Sequence, residues 1–486
     1  MQSKQLCTTA FDIRQQRSVC LLAQLYLIQV TEADVGQTGV TNSAQQQSAD
    51  WFYEDFPGGT VGGTTMTSGG LGYKVYHNLW YQNERYFAVE DNATLHDPSA
   101  APLKTELTIN MWTMRLPVTS APLYYQNLKT GWVRGTTLIV DFPFAAFPDN
   151  MGHWAEVLLP AYSVLSQGAW KHSVRNGTGF VDSLLLVNLR RAQLQGVHWV
   201  WAMLKLTVEP ALPPGLEMPR LLFYDELEVL DKAMWLGFQN ALVINDRYVH
   251  EHGKGGFAST ELGQRFRERA YAASGVQQPQ PWQLGGAPRT ITLLTAVGGE
   301  QVENRGALTA ALQDIGIALG MKVRPFSITT GASFPSYVAA MARTGVLISR
   351  HGPLLANTMF LPPGAVVLEL LPYNWEWRGV SEIYVNITRS IGDIHHFAWR
   401  AKHPRWAAYY DVDEARYADW TAEECSSRHC LEVHARAGMM ADAATIQELL
   451  LDVLPAVYRG ENVSALAQPW PKGAVKSGNT GLWWDK

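Results

Sequence analysis

The chain has little charge for its length and no long basic run. Charged residues make up 17% of its 486 positions, and 39 Lys and Arg against 44 Asp and Glu leave a net charge of −5. A nucleic-acid-binding surface is therefore not expected. Cysteine is scarce: the four are Cys7, Cys20, Cys425 and Cys430. That excludes a small disulfide-stapled scaffold. No G-x-S-x-G elbow and no paired carboxylates at a hydrolase-like spacing occur, so a hydrolase has no support. Internal repeats are absent, and the only biased stretch is the glycine-rich PGGTVGGTTMTSGGLG near the start. What remains abundant is apolar: 47% hydrophobic residues, with 18 Trp and 19 Tyr. Such a chain can bury large cores, and its length exceeds what one core uses.

Residues 18–30 (SVCLLAQLYLIQV) are apolar and follow Lys4, Arg14 and Arg17. That pattern fits a signal-peptide core or membrane anchor, and equally an amphipathic helix. Sequons at Asn92, Asn176, Asn386 and Asn462 permit a secretory route. Cys425 and Cys430 in ECSSRHC are placed for a short-loop disulfide or as free thiols; a zinc site with His429 has poor ligand spacing.

Strand and helix patterns alternate along the chain. TTLIVDF and VDSLLLVNL read as buried strands, and HWAEVLLPAYSVL as a helix. The Pro-, Gly- and Gln-rich QQPQPWQLGGAP (277–288) reads as a boundary. After it, RTITLLTAV, MKVRPFSI, VLIS and AVVLELL alternate with helical segments, one of them with Ser333 as its cap. The expected organisation is an N-terminal region over 1–72 and a first α/β domain over 73–276. A second α/β domain then spans 285–440, and a C-terminal helix and tail 441–486.

The stretch from Val346 to Tyr373 carries the chemistry. Continuous apolar runs are the mark of parallel strands covered on both faces, and ligands of such sheets lie beyond the carboxyl ends of the strands. Arg350, His351 and Gly352 stand at that end of VLIS and open the helical segment GPLLANTMF. Unpaired N–H groups of a helix start, with a glycine and two basic side chains, suit a phosphate or diphosphate. Glu369 lies near the end of the next strand, where an acid can accept from ribose hydroxyls. Asn357 sits between them, placed to bond the loop or the ligand.

HGPLLANTMFLPPGAVVLEL resembles the signature H-G-A-x-L-T-N-x-x-F-L-P-P-G-A-x-V-x-E-L of the family 61 glycosyltransferases. NMGHWAEVLLP is similar to that family's N-x-x-H segment, and SFPSYVAAMARTGVLISRHG to its preceding helix and strand. The resemblance implies two Rossmann-like domains facing a cleft, the glycosyltransferase B architecture, and sugar transfer with inversion from a UDP-sugar, without a metal. It implies a place in the Golgi or ER lumen, with a type II membrane protein as one form. Its plant-like side points to a pentose such as xylose and a glycan acceptor, an N-glycan core among them. A UDP-GlcNAc-dependent enzyme acting on protein or O-glycan, and a non-catalytic relative that binds glycan or nucleotide, are the alternatives. Pro353 and Ala356 depart from the signature, and Thr295 and Val302 stand where arginines are common, so Arg305, Arg350 or Arg324 would serve the diphosphate. Inversion needs a base to take the acceptor proton. Glu156 is the expected base and His153 the second candidate; the two lie one helical turn apart. The D-x-D at Asp411 and Asp413 reads as a solvated helix face rather than a metal site, and His250-Glu251-His252 as an exposed loop.

Overall fold

The computed structural model describes residues 53–55, 63–68, 72–90, 106–109, 112–115, 118–120, 129–142, 146–244, 255–279, 290–296, 302–328, 332–375, 381–421, 424–425, 428–461, 468–469 and 482–484. The apolar segment 18–30, Cys7 and Cys20, the sequons at Asn92 and Asn462, the His250–His252 tripeptide and most of the 277–288 boundary lie outside them. Among the described residues, no helix is long and apolar enough to cross a membrane.

The fold is mixed α/β, built on two large sheets. Strands of the first are β1 (Thr65–Ser68), β2 (Tyr73–Gln82), β3 (Arg85–Glu90), β4 (Thr130–Asp141), β5 (Ser183–Val187), β6 (Arg220–Phe223) and β7 (Trp235–Ile244). Their spatial order is β6-β5-β4-β7-β2-β3, with β1 beside β2. The four strands from β6 to β7 are mutually parallel; β2 runs antiparallel to β7 and to β3. β5, Ser-Leu-Leu-Leu-Val, is buried throughout, as a strand covered on both faces must be. Between β4 and β5 runs helix α1 (Met151–Gln167). The Asn150 side chain caps its start by accepting from the His153 N–H, and Gly168, in the left-handed conformation with φ 70°, ends it. Helix α2 (His198–Val208) packs beside it. Part of the N-terminal region over 1–72 contributes to this sheet: β1 pairs with β2, and Glu54–Asp55 with β4.

Helix α3 (Thr260–Ala273) leads to the second sheet, made of β8 (Thr290–Ala296), β9 (Lys322–Ile328), β10 (Thr344–Arg350), β11 (Val366–Leu371) and β12 (His395–Arg400). These five are parallel, in the order β9-β8-β10-β11-β12. Helices α4 (Arg305–Leu319), α5 (Phe334–Ala342) and α6 (Ile383–Ile391) connect them. The C-terminal segment does not stand apart. Helix α7 (Arg428–Arg436) lies near the strand ends, and α8 (Ala443–Tyr458) packs Ile446, Leu450 and Val453 against Ile291, Val346 and Leu368. Strand β13 (Leu482–Trp484) pairs antiparallel with β12.

Alternation along the strands sorts side chains between two cores. Val346, Ile348, Val366, Leu368 and Leu370 face α4 and α8. Leu347 and Val367 face the other way, into a core continuous with α1, α2 and α3. That shared core joins the two sheets, and Trp154 and Trp170 are wholly buried in it; Trp80 is wholly buried in a separate cluster with Val89 and Trp132. A polar clasp reinforces the junction. Arg267 of α3 forms a two-pronged ion pair with Asp393 at 2.7 and 2.6 Å and donates to the Leu361 carbonyl at 3.1 Å. Tyr271 donates to the Phe360 carbonyl at 2.8 Å.

Candidate functional site

Strand register determines which polar groups meet in the second sheet. Ser349 pairs with Glu369, and Val367 with His396. Side chains two apart share a face, so His351, Glu369 and His396 all fall on the odd face of β10 and β11 and its continuation on β12. His351 is held in line by its N–H, which donates to the Leu370 carbonyl at 2.8 Å. There the side chains join. His351 Nδ1 hydrogen-bonds Glu369 Oε1, and His396 Nε2 lies 3.0 Å from Glu369 Oε2. His396 Nδ1 lies 2.9 Å from the Thr388 hydroxyl of α6, which is also 2.9 Å from the Val385 carbonyl. Glu369 is 0% exposed. Burial raises its pKa, but the two imidazoles oppose this and win, holding the carboxyl below its ordinary range.

Both oxygens of Glu369 are thus engaged inside the protein. A direct ribose contact, as expected from the sequence, would compete with these bonds: Glu369 hydrogen-bonds both His351 and His396. The His351 ring sits 5.1 Å from the Tyr384 ring and 5.7 Å from that of Trp375, and it is 6% exposed. With Nδ1 committed to Glu369, Nε2 is the atom left for a ligand.

Arg350 ends β10 and donates from Nη2 to the Ala435 carbonyl of α7 at 2.7 Å. Gly352 is extended, with φ 163°. The segment after it, Pro353–Phe360, is a 3-10 helix rather than the expected α-helix. It is packed tight from Leu355 onward. Asn357 is wholly buried; Nδ2 donates to the Leu354 carbonyl at 2.9 Å, and Oδ1 has no partner among the described residues. Arg305 opens α4 and is exposed, as is Arg324, whose guanidinium lies 5.5 Å from the Phe326 ring centroid.

The first-sheet candidates reach this corner through a glycine. A Cβ placed on Gly152 would stand 2.9 Å from the Tyr384 hydroxyl and 3.3 Å from Pro353 Cα. The first turn of α1 is therefore docked against the start of the 3-10 segment. One residue on, His153 Nδ1 lies 3.3 Å from Glu156 Oε1, with side chains 26% and 12% exposed. The sequence spacing placed these two on one face, and they are.

Around the corner lies a buried aromatic cluster. Trp375 packs with Tyr417, Cys425, Cys430 and Val433. The two cysteines form a disulfide. His434, not His429, comes within 4.8 Å of both sulfurs. With the sulfurs bonded to each other, no thiolates remain for a metal. Burial pushes His434 down to about 4. Asp411 does not point to a metal either: it is exposed, and its carboxylate accepts from the Asp413 N–H at 2.8 Å as a cap. Asn386, one of the sequon residues, is buried in α6 and accepts from Arg389 at 3.0 Å, an environment without room for a glycan. Asn176 is exposed.

Sequence reasoning missed His396, Thr388, Tyr384 and Trp375. The signal for His396 was present in HHFAWR, a strand directly after the Glu369 strand. Its register, which only the fold supplies, decides which of the two histidines faces Glu369.

No family model matches the chain. It is similar in part to curated proteins named protein O-linked-mannose beta-1,4-N-acetylglucosaminyltransferase 2. The Takifugu rubripes protein is 37% identical over 68 residues, 14% of this chain and 12% of that protein. The Tetraodon nigroviridis protein is 36% identical over 73 residues, 14% of this chain and 12% of that protein. The Danio rerio protein is 28% identical over 102 residues, 21% of this chain and 18% of that protein. The chain thus matches these relatives over less than a fifth of their length.

Proposed function

We propose that the protein is an inverting glycosyltransferase that moves a sugar from a nucleoside-diphosphate donor to a glycan acceptor. The names of the partial relatives support the reaction class. The observation that carries the reading is the docking of the α1 start against the Gly352-Pro353 corner. Each of these segments lies at the place in its own sheet where chain order reverses, between β4 and β7 and between β8 and β10. Parallel sheets bind ligands at such places, beyond the strand ends. The order of the second sheet matches that of a doubly wound nucleotide-binding fold, and the four parallel strands of the first follow half of one; on this basis we infer two Rossmann-like halves facing a cleft.

In this reading Arg350, His351 and the backbone from Gly352 hold the donor diphosphate, with Arg305 placed at the start of α4 to add charge. An acceptor hydroxyl attacks the anomeric carbon, the bond to the diphosphate oxygen breaks, and a base takes the hydroxyl proton. Glu156, with His153 beside it, is the base on the acceptor side. Charge on the departing diphosphate is stabilised by fixed donors, the largest contribution such a site can make. Glu369 acts through His351. Asn357, being enclosed, supports the 3-10 segment rather than meeting the ligand. The reaction as drawn uses no metal. The secretory pathway is the compartment that suits the substrates.

The donor sugar is left to experiment, because its selection rests on pocket shape. The purified chain is incubated with UDP-xylose, UDP-arabinose and UDP-GlcNAc and a panel of glycan acceptors, and released UDP is measured. Transfer with one donor, lost in Arg350→Ala, is the expected result. Donor binding without turnover across the whole panel would replace the enzyme with a sugar-nucleotide-binding protein.

A further inference from the structure

Four side chains from four elements make one hydrogen-bonded chain: Thr388 of α6, His396 of β12, Glu369 of β11 and His351 after β10. Each atom's partner limits where the protons can be. Glu369 as a carboxylate only accepts, so both imidazole nitrogens facing it carry hydrogen: Nδ1–H of His351 and Nε2–H of His396. The remaining atom of His396, Nδ1, faces the Thr388 hydroxyl, which has one hydrogen and three possible acceptors: Nδ1 and the Val385 carbonyl, each at 2.9 Å, and the Tyr384 carbonyl at 3.4 Å. His396 is the deeper imidazole, with a side chain 1% exposed against 6% for His351. A cation is least costly at the rim and most costly inside. A neutral His396 is therefore favoured, and its bare Nδ1 takes the threonine hydrogen. Donation then runs one way, from Thr388 through His396 to Glu369, and the carboxylate's charge is answered from the other side by His351.

We propose that Thr388, His396 and Glu369 are positioning residues that hold His351 as an imidazolium, its Nε2–H aimed at a bound diphosphate. The proposal rests on the donor-site reading above for its ligand, and on the hydrogen-bond chain for its mechanism. His351 moves no proton in it; it is a fixed charged donor, stronger than a neutral one. The low-lying carboxyl of Glu369 agrees with this. Beyond Glu369, the ionisable groups shown beside His351 are Tyr384 of α6, whose ring lies 5.1 Å from that of His351, and its chain neighbour Arg350.

The test uses the full chain and inorganic pyrophosphate as the probe. Histidine is labelled with nitrogen-15, and the His351 signals are identified by their loss in His351→Gln. With pyrophosphate bound near neutral pH, both ring nitrogens of His351 should give protonated-type shifts, and His396 should show Nε2–H with a bare Nδ1. Pyrophosphate affinity is measured alongside near neutral pH. His396→Leu should weaken it about tenfold, the scale of one charge-assisted hydrogen bond. Thr388→Val should do the same to a smaller degree. His396→Gln and Thr388→Ser keep the donors and should stay within about twofold. Circular dichroism melts confirm that each variant is folded. A neutral His351 with a bare Nε2, or a pyrophosphate affinity unchanged between His396→Leu and the parent, would overturn the proposal. The expected ring states with no pyrophosphate or UDP binding would leave the chain of bonds standing and remove the donor-site reading instead.

Discussion

The two corners that meet at Gly152 are built oppositely. On the first-sheet side, His153 and Glu156 are partly exposed, at 26% and 12%, and their side chains lie 3.3 Å apart. On the second-sheet side, Glu369 is sealed and every polar contact it makes is to a residue itself fixed by a strand or helix. A sealed network keeps one geometry because any other leaves a buried group unpaired. An open pair can turn and adapt. The difference suits a site in which one ligand part, the diphosphate, is invariant, and the other, the acceptor hydroxyl, is brought by a varying molecule.

The clasp that keeps both corners together offers the largest perturbation. Arg267→Ala strands Asp393 and the Leu361 carbonyl, and should cost about 3 to 5 kcal/mol of stability in urea unfolding. A loss under ~1 kcal/mol would mean the halves are held by apolar packing alone. Next comes the contrast itself. Glu369→Gln should lower donor affinity and turnover by on the order of a hundredfold, as when a buried orienting carboxylate is neutralised. Glu156→Gln should lower turnover while leaving donor affinity unchanged. Equal effects of the two on donor binding would abolish the distinction between the corners.

His434 sharpens the comparison on the side of pH. Its folded pKa of about 4 lies below the ordinary 6.5. Between those values the unfolded chain takes up a proton that the folded chain refuses, so stability falls as pH drops through this window. The loss should be on the order of 2 kcal/mol, and His434→Phe should flatten that part of a stability–pH curve. Retention of the full slope in that variant would assign it to other groups. The smallest effect belongs to Gly152→Ala. Its methyl meets the Pro353 backbone and the Tyr384 hydroxyl, so the halves must part slightly, at about 1 kcal/mol with a measurable loss of turnover. Wild-type stability and turnover would show that the junction has slack.

Much of this was legible from residue patterns. Apolar runs such as VVLELL and SLLLV announced covered parallel strands, and HWAEVLLPAYSVL announced α1. The polar corner at Arg350-His351-Gly352 followed from its place after a buried strand. What was not legible depends on contacts between distant segments. Glu369 read as a ligand group because nothing local says that His396, 27 residues later, takes its second oxygen. The 3-10 form of Pro353–Phe360 reflects burial of nearly all its side chains, which overrides the helical spacing. The tail read as separate because its pairing with β12 is non-local.

One consequence follows from the odd–even sorting of β11. Glu369 lies one place from Leu368 and Leu370, which belong to the opposite core. Sliding this strand by a single residue would drive a carboxylate into hydrocarbon and turn leucine toward two histidines. Misfolded copies are thereby disfavoured by the same group that, in the proposed reading, steadies the donor-binding histidine, so one side chain constrains both register and site.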